Sequence, residues 1–382
     1  MSPIDTIKEL NYLDDIDSIE EEYKMEFGKD AFNISNWNSC EEFKHSIIDL
    51  LVLQNDVDSL DYIFSYEQVE KRVSGVLAKL GIDENKATLF THSGSASIFN
   101  VLNLLKMNGV KKIVILCPVY FTVIHSCNIL NIDYELVYIE RENNSYVFDE
   151  NKFKEIGDKS VAYWITNPIY CTSVYYNSKQ ISVFNSLSES NFTVFDESLC
   201  LLEHLIGPRI KSEKAISLYS PHKAICMNGI KFSLITTNEK FQSQLDAWSD
   251  VLCGCLSCSN QMAINHFLSN SFMNYKKAFD KMIDNNFQKL KDILKRYDHI
   301  LYDNNAQGYL ITLFFKNIDA NQGLSISFNK NILYKTGVRF IPGIRNHFSN
   351  SMNFCFRVNL SVLATKDYYY VERLLKYLSE FK

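Results

Sequence analysis

Glycine and proline are scarce in this chain, with 13 and 6 residues respectively among 382. Low-complexity segments and flexible linkers are rich in these residues, so we expect a chain that folds along most of its length. The sequence also lacks an unbroken apolar stretch of the ~20 residues that a helix needs to cross a bilayer. Residues 1–22 are acidic and lack the basic and then apolar layout of a signal peptide. We therefore expect no membrane partner and a cytoplasmic protein.

An excess of positive charge is missing as well. Lysines and arginines number 39, against 45 aspartates and glutamates, which gives a formal net charge of −6. Proteins that bind nucleic acid carry basic surfaces that neutralise phosphates, so this balance argues against a nucleic-acid partner.

The ten cysteines do not form the paired pattern of a disulfide-rich secreted domain. Several lie inside apolar runs, such as Cys117 and Cys355, which indicates reduced core cysteines of a cytosolic protein. Cys253, Cys255 and Cys258 form one cluster. A zinc site there would need a further cysteine or histidine pair at zinc spacing, and none follows nearby. We therefore expect no metal and interpret the cluster as small residues of a loop.

Apolar and aromatic residues are plentiful, at 46% and 13% of the chain. From residue 86 onward, strand-like segments alternate with helix-like ones. Residues 112–117 and 161–166 are continuous apolar runs, as strands buried on both faces require. This alternation predicts an α/β fold, with a three-layer α/β/α large domain built on a mostly parallel sheet. The C-terminal third predicts a smaller α+β domain.

Three regions follow from this pattern. Residues 1–45 are predicted to form an N-terminal arm that joins the small domain, and residues 46–265 the large domain. Residues 266–382 would hold a long connecting helix and the small domain. Apolar positions at three- and four-residue spacing over 261–297 predict one helix of about 37 residues, which would run about 55 Å.

Residues 214–237 form the stretch that carries most of the chemistry. They predict a strand, a turn with Lys223, and a returning strand. A lysine amine can form an imine with an aldehyde. Ser220 lies three residues before Lys223 and Lys231 eight after it, and both could bind a phosphate. For Lys223 alone, a surface lysine is the better expectation.

Other polar residues follow predicted strands, at the sheet edge where such folds bind ligands. Small residues at 93–95 open a predicted helix, whose free N–H groups attract anions. Asn167 and Asp196 end two further strands. Each has an ordinary alternative: a helix cap, a turn, or a strand-end aspartate that caps a helix. Arg357, in an alternating strand, could equally form a structural ion pair.

The Ser-x-x-Lys pattern with a basic residue eight positions later, together with these residues in this order, resembles the aspartate aminotransferase family. Its members are fold-type I enzymes that use pyridoxal phosphate (PLP). The resemblance spans roughly residues 30–382. It implies that Lys223 forms an imine with PLP, and that the phosphate is held by Ser93, Gly94, Ser95, Ser220 and Lys231.

The same resemblance implies roles for the other residues. Tyr120 would stack on the pyridine ring, Asn167 would hydrogen-bond its hydroxyl, and Asp196 would pair with its protonated nitrogen, which makes the ring an electron sink. Arg357 would clamp the substrate carboxylate. Trp37 would lie near the side-chain pocket.

The resemblance also makes a prediction about the oligomeric state. Tyr62 would reach the phosphate of a neighbouring subunit, which implies a homodimer with active sites at the interface. The sequence also departs from the family pattern. Lys231 replaces the usual arginine and Leu199 the usual tyrosine, whose role Tyr170 would partly fill.

The resemblance implies an aminotransferase that moves an amino group between an amino acid and a 2-keto acid. His222, directly before the lysine, leaves open a PLP-dependent elimination, cyclisation or decarboxylation, as in natural-product biosynthesis. A third alternative is a regulator or binding module on the same fold. The sequence shows no attached DNA-binding domain, which argues against this alternative.

Overall fold

The structure is a computed structural model that describes residues 13–50, 70–142, 145–155, 160–252, 254 and 256–381. The predicted site residue Tyr62, as well as Cys253 and Cys255, lie outside the described residues. In the part of the chain that is described, no helix has both the length and the apolar character to span a membrane.

The helices of the described residues are numbered in chain order. They are α1 (Asp14–Phe27), α2 (Glu41–Ile47), α3 (Glu70–Leu80), α4 (Gly94–Met107), α5 (Phe121–Leu130), α6 (Glu150–Glu155), α7 (Ser178–Ser190), α8 (Pro221–Ala224), α9 (Gln242–Leu252), α10 (Cys258–Leu268), α11 (Asn270–Leu294), α12 (Ile326–Thr336) and α13 (Tyr368–Ser379).

The strands are shorter and are numbered in the same way. They are β1 (Phe32–Asn33), β2 (Ala87–Thr91), β3 (Lys112–Cys117), β4 (Asp133–Tyr138), β5 (Glu140–Glu142), β6 (Ser145–Val147), β7 (Val161–Thr166), β8 (Thr193–Glu197), β9 (Ala215–Tyr219), β10 (Ser233–Thr237), β11 (Ile300–Leu301), β12 (Leu310–Phe315), β13 (Val338–Arg339) and β14 (Phe354–Asn359).

A seven-stranded sheet in the order β2-β10-β9-β8-β7-β3-β4 forms the centre of the large domain. Strands β4, β3, β7, β8 and β9 are parallel neighbours, and β10 runs antiparallel to both β9 and β2. The predicted mostly parallel α/β sheet is therefore confirmed.

Both faces of this sheet are covered. In β7, Ala162 and Trp164 pack into one apolar cluster, which also contains α4 residues. Tyr163 and Ile165, which point to the other face, pack into a second cluster with α7 residues. Because successive side chains of a strand face opposite sides, two clusters on one strand require a layer on each side. This is the predicted three-layer arrangement.

The strand ends meet at one edge of the sheet. Thr166 of β7 lies opposite Asp196 of β8, and Glu197 lies opposite Tyr219 of β9. Parallel strands place their carboxyl ends together, so the residues that follow these positions are brought to a common edge.

A three-stranded antiparallel sheet, β11-β12-β14, forms the second unit and carries Arg357 in β14. The N-terminal arm joins it, since β1 pairs with β13 and α1 packs on α12 through Ile19, Tyr23 and Leu333. The predicted domain boundaries, at residues 45 and 265, stay a prediction.

The predicted single helix over 261–297 is wrong. Two helices, α10 and α11, meet at Ser269, whose backbone is extended (φ −79°, ψ 166°). The Ser269 hydroxyl donates to the carbonyl of His266 at 2.7 Å. A serine that bonds its local backbone competes with helix continuation, and apolar spacing does not register this.

Candidate active site

The residues at the start of α4, at the sheet edge, border a small recess around Gly94 that we call the cradle. Ser93 caps the helix by accepting from the Ala96 N–H at 3.3 Å, and Ser95 is exposed on the first turn. A Cβ built on Gly94 would lie 3.4 Å from the hydroxyl oxygens of Ser198 and Ser220. The bare glycine therefore leaves a space that is bordered by hydroxyl groups and by the helix N-terminus, where an anion is favoured.

The hydroxyl groups of this cradle come from three strand ends. Ser220 and Ser233 follow β9 and begin β10, and their hydroxyls bond each other. Ser233 would lie 3.8 Å from a Cβ on Gly94. Ser198 Oγ, after β8, is buried and has no hydrogen-bond partner among the described residues. A buried hydroxyl without a partner is costly, so a ligand oxygen is a suitable complement.

Asn260 ties two loops of the cradle together. Its Nδ2 donates to the backbone oxygen of Lys231 at 2.7 Å and to that of His92 at 3.2 Å. Lys231, a predicted phosphate ligand, is half-buried in this loop, where Asn260 holds its backbone. Sequence reasoning missed Asn260 because its role depends on two loops that are distant in the chain.

Lys223 lies in α8, directly after β9. Its backbone N–H bonds to the Ser220 carbonyl at 2.9 Å, and its carbonyl accepts from the Tyr309 hydroxyl at 3.0 Å. Its Nζ lies 4.7 Å from the ring centroid of Tyr120 and 5.3 Å from that of Trp37. The amine is thus held between two aromatic rings, a geometry that attracts a cation.

Arg357 shares one of those rings. Its Cζ lies 4.1 Å from the Trp37 ring centroid, its Nη2 donates to the Ser35 carbonyl at 3.0 Å, and its Nη1 donates to the Tyr170 hydroxyl at 3.4 Å. The guanidinium is buried, with the residue 2% exposed. An amine and a guanidinium therefore lie against the same indole, although Lys223 lies in α8, after β9 of the seven-stranded sheet, and Arg357 lies in β14 of the three-stranded sheet.

The segment around Trp37 is fastened on both sides. The Trp37 carbonyl accepts from Asn228 Nδ2 at 2.6 Å, in the loop that follows Lys223. The Ser35 hydroxyl donates to the Arg357 carbonyl at 2.8 Å. The N-terminal arm thus fixes the distance between the predicted cofactor lysine and the predicted carboxylate clamp.

Two further predicted residues end adjacent strands. Asp196 is buried, its Oδ1 accepts from the Ser198 N–H at 3.1 Å, and its carbonyl accepts from the Asn167 N–H at 2.9 Å. Asn167 Nδ2 donates to Glu197 Oε1 at 2.8 Å. Asn167 Oδ1 is buried and has no hydrogen-bond partner in the described part of the chain.

Glu197 is a site residue that sequence reasoning missed, although it adjoins Asp196. Its oxygens accept from the N–H groups of Ile206 at 2.6 Å and Gly207 at 2.9 Å. Burial raises the pKa of its carboxyl to about 7, against the opposing effect of these bonds. The sequence did contain a signal for this residue, because two consecutive acidic residues, Asp196 and Glu197, end a predicted strand.

Leu199, a departure from the family pattern, and Tyr170, the residue predicted to fill part of its role, have different surroundings. Leu199 is half-buried and packs against apolar side chains, so this position supplies no hydroxyl. Tyr170, the residue predicted to fill that role, is buried with its hydroxyl beside Arg357 and its ring 6.0 Å from that of Tyr120.

His222 is a core residue. It is fully buried, its Nε2 lies 3.1 Å from His266 Nδ1, and its ring packs against Phe232 and Phe272. Burial, with smaller effects of His266 and Lys79, lowers its pKa to about 3. His266 and Phe272 belong to α10 and α11, and Phe232 directly precedes β10. These core contacts give no support to a role for His222 in elimination or decarboxylation.

The predicted absence of a metal at the cysteine cluster stays a prediction, because Cys258 is its one described member. Within the described ranges, no group of three or more potential ligands comes together.

No protein-family model and no curated protein matches this sequence. Solved structures do match. An aspartate aminotransferase from Thermotoga maritima is 13% identical, with a TM-score of 0.76 and 100% of both chains covered. A double mutant of the Thermus thermophilus aspartate aminotransferase is 14% identical, with a TM-score of 0.76 over 99% of this chain and 97% of the other.

A third match is a putative kynurenine aminotransferase from Saccharomyces cerevisiae, which is 13% identical, with a TM-score of 0.73 over 96% of this chain and 95% of the other. At these identities the likeness concerns the fold. The chain has the fold of the aminotransferase structures, as its sequence resemblance predicts.

Proposed function

We propose that this protein is a PLP-dependent aminotransferase that moves an amino group between an amino acid and a 2-keto acid. The observation that carries the proposal is the shared indole of Trp37, against which the Lys223 amine and the Arg357 guanidinium both lie. In an α-amino acid, the carboxylate and the amino group that is transferred are bonded to the same α-carbon. A carboxylate clamp and a reactive amine on one ring therefore suit this substrate class.

The residues present fit the cofactor in chemical terms. The cradle at Gly94 offers the helix N-terminus and the hydroxyls of Ser198, Ser220 and Ser233 to a phosphate. The buried Asp196 carboxylate suits a protonated ring nitrogen. Lys223 would hold the cofactor covalently through Nζ, and the Tyr120 ring beside that amine would stack on the cofactor ring. Bound PLP would act as an electron sink for charge that develops on the substrate.

On the substrate side, Arg357 would bind the α-carboxylate through its guanidinium N–H groups. Its bonds to the Ser35 carbonyl and to the Tyr170 hydroxyl would keep the guanidinium plane fixed. The substrate amine would displace Lys223 from the cofactor, so that Nζ becomes free to act as a general base. Nζ would take the proton from the substrate α-carbon and pass it to the cofactor carbon to which it had been bound, and with a 2-keto acid the same proton would move in the reverse direction. Trp37 and Tyr120 would exclude water from this proton transfer.

Assembly and substrate choice belong to the same proposal. A homodimer, with Tyr62 reaching the partner site, agrees with the sequence resemblance. The aromatic walls formed by Trp37, Tyr120 and Tyr170 suit the side chain of an apolar or planar amino acid.

A direct experiment is reduction of the PLP-loaded protein with borohydride, followed by peptide mass spectrometry. We expect the cofactor mass on the peptide that contains Lys223, and none in Lys223→Ala. Incubation with amino acids in the absence of keto acid then distinguishes the reactions. A transaminase converts one equivalent of substrate per site and stops, whereas an eliminase or decarboxylase continues. Absence of labelling would refute the proposal, and it would favour a binding module.

A further inference from the structure

A buried ion pair joins the two units of the fold. Arg141 lies in β5, which follows β4 of the seven-stranded sheet, and Asp303 lies between β11 and β12 of the three-stranded sheet. Arg141 Nε donates to Asp303 Oδ1 at 3.2 Å, and Arg141 Nη2 donates to the Tyr302 carbonyl at 3.2 Å. The two charged side chains are 7% and 1% exposed. Because it is buried, this pair is screened little by salt.

The Tyr146 hydroxyl completes this contact from β6. It donates to Asp303 Oδ2 at 2.6 Å, and the Tyr146 carbonyl accepts from Gln180 Nε2 of α7 at 2.8 Å. Both carboxylate oxygens of Asp303 are therefore bonded to groups of the large domain. Removing one partner of a buried ion pair leaves an uncompensated charge, which is strongly unfavourable. We call Arg141, Tyr146 and Asp303 the latch.

Strand β5 also holds the segment that leads into β14. The Ser349 hydroxyl donates to Glu140 Oε1 at 2.6 Å, and the Ser351 hydroxyl donates to Glu140 Oε2. Asp303 precedes β12 in the chain, as Ser351 precedes β14. Strands β5 and β6 are thus bonded to the segments that lead into both of these strands of the small sheet.

The latch lies against the sheet face that carries Arg357. The Arg141 Cζ atom lies 5.3 Å from the ring centroid of Phe314 in β12. Phe314 is directly opposite Cys355 of β14, and Thr312 is directly opposite Arg357. Residues that are directly opposite, or two apart in one strand, point to the same face. The latch therefore contacts this face about 7 Å along β12 from the residue opposite Arg357.

A separate contact fixes the same face close to Arg357. The Thr312 hydroxyl donates to the Cys171 carbonyl at 2.8 Å, and the Ser173 hydroxyl donates to the Leu310 carbonyl at 2.6 Å. Cys171 and Ser173 follow β7 of the large domain. One attachment leaves a sheet free to turn about it, whereas two separated attachments fix its orientation. The latch supplies the second attachment.

We propose, building on the aminotransferase function above, that Arg141 is a positioning residue for Arg357. Together with Asp303 and Tyr146, it sets the distance and the angle between the Arg357 guanidinium and the Lys223 amine, and it does not touch the substrate. An amino acid must engage both groups at once, so a displacement of about 1 Å between them can cost up to ~100-fold in rate. A ligand that engages only one of the two groups does not depend on their separation.

This difference between ligands gives the test three probes. The first is the amino acid that the PLP-loaded wild type converts fastest, for which kcat/KM is measured. The second is the same molecule without its amino group, such as 3-phenylpropionate where the amino acid is phenylalanine, and calorimetry gives its dissociation constant. The third is methoxyamine, which attacks the cofactor imine and carries no carboxylate, and loss of the imine absorption gives its rate.

Two variants open the latch. Arg141→Met combined with Asp303→Leu removes both charges, so neither is left buried alone. We expect kcat/KM for the amino acid to fall by about 10- to 100-fold, whereas the other two probes should change by less than about 2-fold. Tyr146→Phe removes one bond to Asp303 and should produce a smaller fall of the same kind. Arg296→Met, the control, removes an ion pair with Glu372 that lies outside the large domain, and it should change none of the three values.

A second comparison uses the variant Arg357→Leu as the background. Without the clamp, its distance from Lys223 no longer matters, so opening the latch should cause no further loss of kcat/KM. Effects that act through one shared group are not additive, whereas independent structural damage multiplies. Thermal unfolding, measured in parallel, reports any loss of folded protein.

The outcomes are distinct. Similar losses for all three probes overturn the inference, and so does an unchanged kcat/KM or a loss that persists in full in Arg357→Leu. If no latch variant folds, including Tyr146→Phe, the cluster serves stability alone and the positioning role is overturned as well. A wild-type protein that takes up no PLP or converts no amino acid overturns the proposed function itself. A wild type that does both, with latch variants that behave in any of the first ways, retains the function and loses only this inference.

Discussion

Gly94→Ala is the sharpest test of the anion cradle. The new methyl group would lie 3.4 Å from the hydroxyl oxygens of Ser198 and Ser220 and 3.8 Å from that of Ser233. These are ordinary contact distances, so the fold accommodates the change. Replacing a glycine by alanine at a compatible position stabilises a protein by about 0.4–1 kcal/mol. We therefore expect unfolding at the same temperature or slightly above it.

Cofactor binding should change in the opposite direction. The methyl group occupies the space in which the hydroxyls would meet a phosphate oxygen. Loss of one hydrogen bond to a charged group is worth about 1.5–3 kcal/mol, or about 10- to 150-fold in affinity. A fluorescence titration with PLP measures this change. Gly229→Ala is the matched control, because that glycine is exposed and a Cβ there meets nothing within 4 Å. Equal affinities of Gly94→Ala and wild type would refute the cradle.

Three other predictions test the clamp and the core. Arg357→Lys keeps the charge but loses the two-point geometry, and it should lower kcat/KM by about 10- to 100-fold; an unchanged value contradicts the clamp. Burial lowers the pKa of His222 to about 3 and that of His266 to about 4. Below about pH 6.5 the folded protein therefore binds fewer protons than the unfolded chain. Its free energy of unfolding should fall as the pH drops from about 6.5 toward 3, by up to ~1.4 kcal/mol per pH unit for each histidine. Urea unfolding of His222→Gln between about pH 4 and about pH 6, the window that those shifts set, should show a shallower slope of stability against pH, and an unchanged slope is the contrary result. Asn346 is buried, and both side-chain amide atoms lack hydrogen-bond partners among the described residues. Asn346→Leu should therefore stabilise the protein by about 1–2 kcal/mol; lower thermal stability contradicts this.

The central sheet was predictable because its strands carry their own signal. Strands buried on both faces must be apolar throughout, and the runs at 112–117 and 161–166 coincide with β3 and β7. Residues just after such strands fall at one edge by the geometry of parallel sheets. For this reason Asn167 and Asp196, which are distant from each other in sequence, could be expected as neighbours before any coordinates were known.

Features that depend on local bonding were not predictable in the same way. The break at Ser269 leaves the apolar spacing of α10 and α11 uninterrupted, and a side-chain bond to the His266 carbonyl accompanies it. Glu197 adjoins Asp196, yet nothing in the sequence states that loop N–H groups from Ile206 and Gly207 will converge on it. Such convergence is a property of the tertiary fold.

Trp37 shows why the N-terminal arm belongs to the site. Its ring carries both cations, and each cation–ring contact is worth about 0.5–2 kcal/mol. Ser35 bonds Arg357 in both directions, as donor to its carbonyl and as acceptor from its Nη2. The clamp can therefore keep its distance from Lys223 only while the arm stays docked. If Arg357 binds the substrate carboxylate as we propose, the fold would bring that substrate to the Lys223 amine, and the site should select amino acids over simple amines.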